Sequence, residues 1–388
     1  MTYPPKAPSA LREFLQKESS GGIVLMLAAA AALAIANSPW ADIYFSMLKT
    51  SMVGLTVTYW INDGLMALFF LLIGLEIKRE VIVGQLSTWP RRILPGIAAA
   101  GGMVVPAAIY MVLNGSNTLR GWAIPTATDI AFALGLLALL GSRVPVTLKI
   151  FLTALAIIDD IGAVVIIALF YTTDIAQDWL AATVAVFVLL CILNRTSYMR
   201  LWAYLLLGAI LWVFMLKAGV HAALAGIAVA TTIPLRARGV ASVNHEQSPL
   251  HLLEHNLHPW ITYCVLPVFG FANAGVALGA VQWADLLHPV TLGITAGLFI
   301  GKSVGVFGFS FVAIRLKIAD CPVGATLTQV LGIAFLCGVG FTMSLFIGGL
   351  AFETPDMTQS VKLGILCGSG LSALVGMTIL RFASAKNI

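Results

Sequence analysis

Charge is what this 388-residue sequence has least of: Lys and Arg number 22 and Asp and Glu 17, only 10% of the chain, against 60% hydrophobic residues and a mean hydropathy of +0.97. Soluble domains carry about 25% charged residues. A soluble enzyme, a disordered chain and a coiled coil are therefore excluded, and a polytopic α-helical membrane protein remains. Cysteine is scarce too. Cys191, Cys264, Cys321, Cys337 and Cys367 form no C-x-x-C pair, and four of them lie in apolar runs. They read as small core residues, not as a disulfide framework or a metal site. A net charge of +5 would suggest nucleic acid as a partner of a soluble protein. Here it fits basic residues in cytoplasmic loops, and no nucleic acid is expected.

Apolar runs long enough to cross a bilayer, about 20 residues each, are predicted at 22–37, 60–78, 93–113, 122–140, 147–171, 179–194, 201–216, 220–234, 259–279, 289–314, 327–350 and 361–381. Such runs are too long for barrel strands. With both termini in the cytoplasm, seventeen basic residues fall on the inner side and four (Lys49, Arg120, Lys217, Lys362) on the outer, with Lys302 inside span ten. That is a positive-inside bias. The expected fold is an all-α polytopic membrane protein of about 12 spans in one domain, 22–381, between cytoplasmic tails 1–21 and 382–388. The inner loop 235–258 has room for a short surface helix. Ala34-Ile35-Ala36 resembles a signal-peptidase site, but the preceding polar region is long and its charge is diluted by Glu13 and Glu18. Gly301-Lys302-Ser303 resembles the end of a nucleotide-binding loop, yet Ala296 stands where the first glycine is required. Transport, if present, is secondary.

The few intramembrane charges then stand out. Asp129 lies near the middle of span four, the adjacent Asp159 and Asp160 in the middle of span five, and Lys302 in the middle of span ten. A charge at the bilayer centre costs about 2.5–3.5 kcal/mol, so folding alone gives no reason to keep them. A lysine paired with one aspartate would be structural glue, and Lys302 reads equally well as a counter-charge. Two carboxylates stay unexplained. Neighbouring helix residues point about 100° apart, so one of the Asp159–Asp160 pair can face a water-filled cavity and the other a neighbouring helix. Carboxylates in a cavity carry protons, and when ionised their oxygens suit a hard cation. Sodium or lithium then competes with protons for one site, which suffices for antiport.

Span four also clusters Pro125, Thr126 and Thr128 with Asp129, and span eleven holds Gly338 and Gly340 at similar depth. Proline removes a backbone bond and threonines satisfy freed groups, so both spans read as broken helices. If residues 93–171 and 289–381 are inverted repeats, the breaks fall in corresponding second helices and point to a midplane ion site. There Asp129 would offset facing helix N-termini and Lys302 facing C-termini.

Six stretches carry a family resemblance: Trp60-Ile-Asn-Asp-Gly through Gly-Leu-Glu-Ile-Lys-Arg-Glu, Gly121-Trp-Ala-Ile-Pro-Thr-Ala-Thr-Asp, Ala154-Leu-Ala-Ile-Ile-Asp-Asp, Lys217-Ala-Gly-Val-His-Ala, Phe269-Gly-Phe-Ala-Asn-Ala-Gly-Val and Cys337-Gly-Val-Gly-Phe-Thr-Met-Ser. In these the chain closely resembles the NhaA family of bacterial sodium/proton antiporters. The resemblance implies twelve helices with broken, crossing spans four and eleven. It implies that Asp159 and Asp160 bind sodium or lithium and the protons, that Thr128 and Asp129 flank the site, and that Lys302 is essential. It implies a bacterial inner membrane, electrogenic exchange and regulation at alkaline pH by cytoplasmic-side groups. Candidates for the last are Glu76, Arg79, Glu80, Glu254, His258 and His221. A solvated helix end is the alternative for Glu76, Arg79 and Glu80, and a packing role for His221.

Two departures from the family pattern stand out. His251 and Leu252 occupy positions where basic residues are expected. Residues 41–59 are few where family homodimers use a β-hairpin, and 53–59 are expected to form strand. His251-Leu-Leu-Glu254-His255 matches a zinc-hydrolase pattern, but a histidine cluster of His245, His251, His255 and His258 that responds to pH fits the loop better. Outside antiport, the competing readings are an intramembrane aspartyl protease using Asp129 and Asp160, an ion-sensing membrane protein, and a cation channel.

Overall fold

The computed structural model describes residues 10–84, 88–172, 176–235 and 248–383. His245 of the expected histidine cluster, and parts of both expected tails, lie outside the described residues. Helix α1 (Ala10–Ala36) begins well before the first apolar run and is followed by α2 (Ala41–Lys49). Span two combines a π-helical segment, Trp60–Leu65, with α3 (Met66–Ile82). Span three is α4 (Trp89–Leu113), and span four is a 3-10 helix, Ser116–Thr126, followed by α5 (Ile130–Leu139). Spans five to seven are α6 (Val146–Phe170), α7 (Gln177–Arg195) and α8 (Leu201–Ala218), and α9 (Leu224–Thr232) follows. Next come α10 (Pro249–Trp260), a π segment Ile261–Val265 and α11 (Leu266–Ala274). Span ten is α12 (Pro289–Ala296), a π segment Gly297–Gly301 and α13 (Lys302–Arg315). Span eleven is α14 (Leu327–Leu336) and α15 (Phe341–Ala351), and α16 (Pro355–Phe382) closes the chain.

Among the described residues, six helices are each long and apolar enough to cross a membrane, or nine if each of three bent pairs is one span. The remaining predicted spans are two, eight and nine. Spans two and nine are interrupted by π segments. Span eight was expected over 220–234, but Gly219 ends α8 at φ 77° and only the nine residues of α9 are helical. That is about 14 Å of helix, half a bilayer core. The expected surface helix in the loop 235–258 is not separate. Ser248 accepts a hydrogen bond from the His251 amide, Pro249 starts α10, and α10 runs on into span nine.

Helices α4 and α13 approach where Gly101 and Gly305 face each other, each leaving room for the other's carbonyl. Small residues at such a contact are how helices pack in lipid. The core around the middle of the chain includes Leu134, Leu152, Leu298, Ile333 and Ile347, all buried. Large apolar side chains such as Leu169, Leu206 and Val312 are exposed, as expected of a surface that meets acyl chains.

The strand expected over 53–59 is shorter. Ser51–Met52 pairs antiparallel with Leu55–Thr56, and Val57–Tyr59 is already helical, capped by Thr56. Val53 and Gly54 form the two-residue turn, at φ 53° and 81°. Positive φ at both positions is what a type I′ turn demands, and asparagine suits the first position far better than a β-branched residue. Val53→Asn is expected to stabilise the hairpin by about 1 kcal/mol, read as slower amide exchange across its strands. Unchanged exchange would show that Val53 carries no strain.

Candidate functional site

The two broken spans meet at their breaks. Span four bends by 48° across residues 127–129 and span eleven by 42° across residues 337–340. The Asp129 amide donates to the Val339 carbonyl at 2.8 Å, joining one break to the other. Pro125 sits in the last turn of the 3-10 helix and packs on Gly297. An eleven-residue 3-10 helix is long for its kind and often marks a functional hinge. At Gly338 a Cβ would strike the Leu298 carbonyl, and at Gly340 the Ser344 hydroxyl. Gly338 is required by this close approach of backbone, and at Gly340 the Ser344 and Leu298 side chains would have to move.

Breaking two helices strands four ends, and two charges and a hydroxyl meet them. The Asp129 carboxylate accepts from the Phe132 amide (2.9 Å), the Thr342 amide (2.9 Å) and the Thr342 hydroxyl (2.6 Å). It thus caps the N-termini of α5 and α15 together, the positive ends of both dipoles. Lys302 and Thr128 answer the opposite ends. The Lys302 Nζ donates to the Thr126 carbonyl, at the end of the 3-10 helix, and to Asp159 Oδ2 at 2.5 Å. Thr128 Oγ1 lies 2.8 Å from Asp159 Oδ2 and 2.9 Å from the Cys337 carbonyl, at the end of α14. Asp159, Asp129 and Lys302 are 1%, 2% and 0% exposed.

The adjacent carboxylates face different surroundings. Asp159 is held by Lys302 and Thr128. Asp160 lines a cavity of about 40 Å³ that also touches Glu76, Thr128, Asp129, Thr153 and Thr342. Its Oδ1 is buried without a hydrogen-bond partner. A cavity of this size is roomy enough for water. Only Asp160 of the pair borders the cavity.

Of the regulatory candidates, the structure gathers four. Arg79 Nε donates to Glu254 Oε1 at 2.8 Å and Oε2 at 3.1 Å, and Arg79 also pairs with Glu80 at 2.9 Å. Glu76 bears electrostatically on the same guanidinium. His258 is buried one turn beyond Glu254 on α10. His221 is elsewhere: it lies in the turn before α9, with Nε2 2.7 Å from the Tyr171 carbonyl at the far end of α6. Leu252 is 47% exposed on α10.

Two further residues belong to this neighbourhood, and a third, Asp63, is a buried carboxylate in span two. Thr342 joins Asp129, and in the sequence it lies in the family stretch Cys337–Ser344, just after a predicted break. Thr153 lines the cavity from the same helix as Asp160. Asp63, 9% exposed, sits in the π segment of span two, where its carbonyl accepts from Trp212 Nε1 at 3.3 Å. Its signal in the sequence is a carboxylate near the start of an apolar run.

Comparison with known proteins gives a family match over nearly the whole chain: the model described as Na+/H+ antiporter 1 matches residues 12–380. The chain is 58% identical to the Na(+)/H(+) antiporter NhaA of Mesorhizobium japonicum, covering 98% of this chain and 96% of that one. It is 58% identical to the protein of the same name from Rhizobium etli, covering 96% and 95%. It is 56% identical to that of Paramagnetospirillum magneticum, covering 98% and 99%.

Proposed function

This chain belongs to the Na+/H+ antiporter 1 family, and we infer that it exchanges sodium for protons at Asp159 and Asp160. It is a secondary transporter and not an enzyme. One observation carries the assignment of the site: Asp160 lines a cavity and has a buried oxygen without a partner, while its neighbour Asp159 is paired with Lys302.

The cycle follows from that asymmetry. With no cation bound, Lys302 holds Asp159, and Asp160 holds a proton. A sodium ion arriving in the cavity takes the Asp160 oxygens and displaces that proton. It then competes with Lys302 for Asp159, whose Oδ1 also lacks a partner, and the Asp159–Lys302 pair releases a second proton. Lithium, another small hard cation, is accepted by the same oxygens. One cation moved against two protons carries net charge, so exchange is electrogenic and the membrane potential drives sodium out. The paired breaks, held by Asp129, Thr128 and Lys302, are the elements that change between inward- and outward-facing states.

The wider reading places the chain in the bacterial inner membrane. Both termini are cytoplasmic, on the strength of the basic-residue bias, and one domain over 22–381 is built from inverted repeats 93–171 and 289–381. The Arg79–Glu254–Glu80 network beside Glu76 supports a pH response that activates exchange at alkaline pH. The Ser51–Thr56 hairpin supports homodimerisation, and the exposed apolar belt meets membrane lipid. The aspartyl-protease alternative has no support, because three donors already occupy the Asp129 oxygens.

The test is reconstitution into vesicles with an imposed pH gradient. Sodium-dependent proton movement is expected, increasing toward alkaline pH, and Asp159→Asn and Asp160→Asn each reduce it to the level of protein-free vesicles. An ion sensor would give no flux at any pH. A channel would pass sodium without moving protons.

A further inference from the structure

Among the described residues, buried helix hydroxyls commonly find a partner close by, but that of Thr153 finds none. Thr183, Ser303 and Ser310 donate to the carbonyl four residues back, those of Trp179, Phe299 and Val306, at 2.9, 2.5 and 2.6 Å. That bond is how a hydroxyl satisfies itself inside an apolar helix. Thr153 does not make it. Its residue is 8% exposed, and its Oγ1 is buried with no hydrogen-bond partner.

The position of that oxygen gives the exception a meaning. Thr153 precedes Asp160 by seven residues on α6, so both project from one face. They line one cavity, with Glu76 on its wall. Thr153 Oγ1 and Asp160 Oδ1 are both buried without a hydrogen-bond partner. Helix rise separates the two residues by about 10 Å, too far for one small cation to touch both. A cation passing from Glu76 to Asp160 sheds hydration water on the way and gains from any oxygen on the wall.

We propose that the Thr153 hydroxyl is a transient ligand of the sodium ion on its route to Asp160, a specificity residue one stop short of the binding carboxylates. The oxygen lone pairs replace part of the hydration shell. The proton route needs no such ligand, because carboxylates carry protons themselves. Val differs from Thr by a methyl in place of the hydroxyl, so it keeps the packing and removes only the ligand.

The inference rests on the antiport reading, and one series in vesicles separates the two. In Thr153→Val, kcat/KM for sodium is expected to fall about tenfold, with a smaller fall in the rate at saturating sodium. Thr153→Ser, which keeps the oxygen and loses the methyl, recovers the lost kcat/KM. Melting temperatures of both variants report folding. A packing role gives the opposite order: Val behaves as wild type and Ser is impaired. That order, or wild-type kcat/KM in a folded Thr153→Val, overturns the proposal while leaving antiport standing. Absence of sodium-dependent proton flux in the wild type overturns antiport and this inference with it.

Discussion

Lys302→Met is expected to destabilise the detergent-solubilised protein by about 3–5 kcal/mol, on the order of 5–15 °C in melting temperature. Lys302 and Asp159 have no exposed side-chain surface and lie 2.5 Å apart. Removing the lysine leaves a buried carboxylate whose other oxygen, Oδ1, already lacks a partner. It also strips the Thr126 carbonyl of its donor. Uptake of a proton by Asp159 limits the loss, which is why the lower half of the range is the safer expectation. The informative comparison is the double variant. Adding Asp159→Asn removes the stranded charge, so Lys302→Met with Asp159→Asn melts above Lys302→Met alone. Melting at the sum of the two single effects would mean that the pair is not coupled and that Lys302 is held by the Thr126 carbonyl alone. With an uncoupled lysine, sodium binding at Asp159 would have no means of expelling a proton from the pair.

Asp129, Asp159, Asp160 and Lys302 are legible in the sequence because each interrupts an apolar run, where every charge stands out. The breaks in spans four and eleven are legible for a similar reason. Pro125, Gly338 and Gly340 are residues whose backbone chemistry disrupts helices wherever they fall. The π segments leave no such mark, because one extra residue per turn changes neither composition nor hydropathy. Span eight is shorter than its apolar run suggests because an apolar stretch looks the same whether it is helix throughout or a turn followed by nine helical residues. Glu76 reads from sequence as part of a charged helix end, but the cavity it shares with Asp160 is made by several separate elements and has no local signature. Thr153 is invisible as a site residue, and Thr342 is marked only by the family stretch it lies in. Hydroxyls are common in apolar helices and most of them satisfy themselves locally. Only tertiary packing distinguishes the one that faces a cavity or the one that reaches across to Asp129.

Asp129→Ala is expected to be comparably damaging, and by a different route. The carboxylate is an N-cap for α5, through the Phe132 amide, and for α15, through the Thr342 amide and hydroxyl. Loss of a single N-cap costs about 0.5–2 kcal/mol. Here two are lost at once at a residue 2% exposed, where water does not readily replace them, and an unsatisfied buried donor costs about 1–3 kcal/mol. A total of roughly 3–6 kcal/mol follows, again on the order of 10 °C in melting temperature. Asp129→Asn separates geometry from charge. The amide oxygen keeps one acceptor in place, but the side chain loses the negative charge facing two positive helix ends and gains donors where none is wanted. Its loss is expected to be about half that of alanine. Equal loss in both variants would mean that the one acceptor Asn retains contributes nothing at these helix ends. Wild-type stability in Asp129→Asn would assign it to hydrogen bonding and leave the helix dipoles no part in holding the two breaks together. Because the Asp129 amide also bonds the Val339 carbonyl, neither substitution removes the backbone link. The two broken spans therefore stay in contact, and what is measured is the side chain's work at the helix ends.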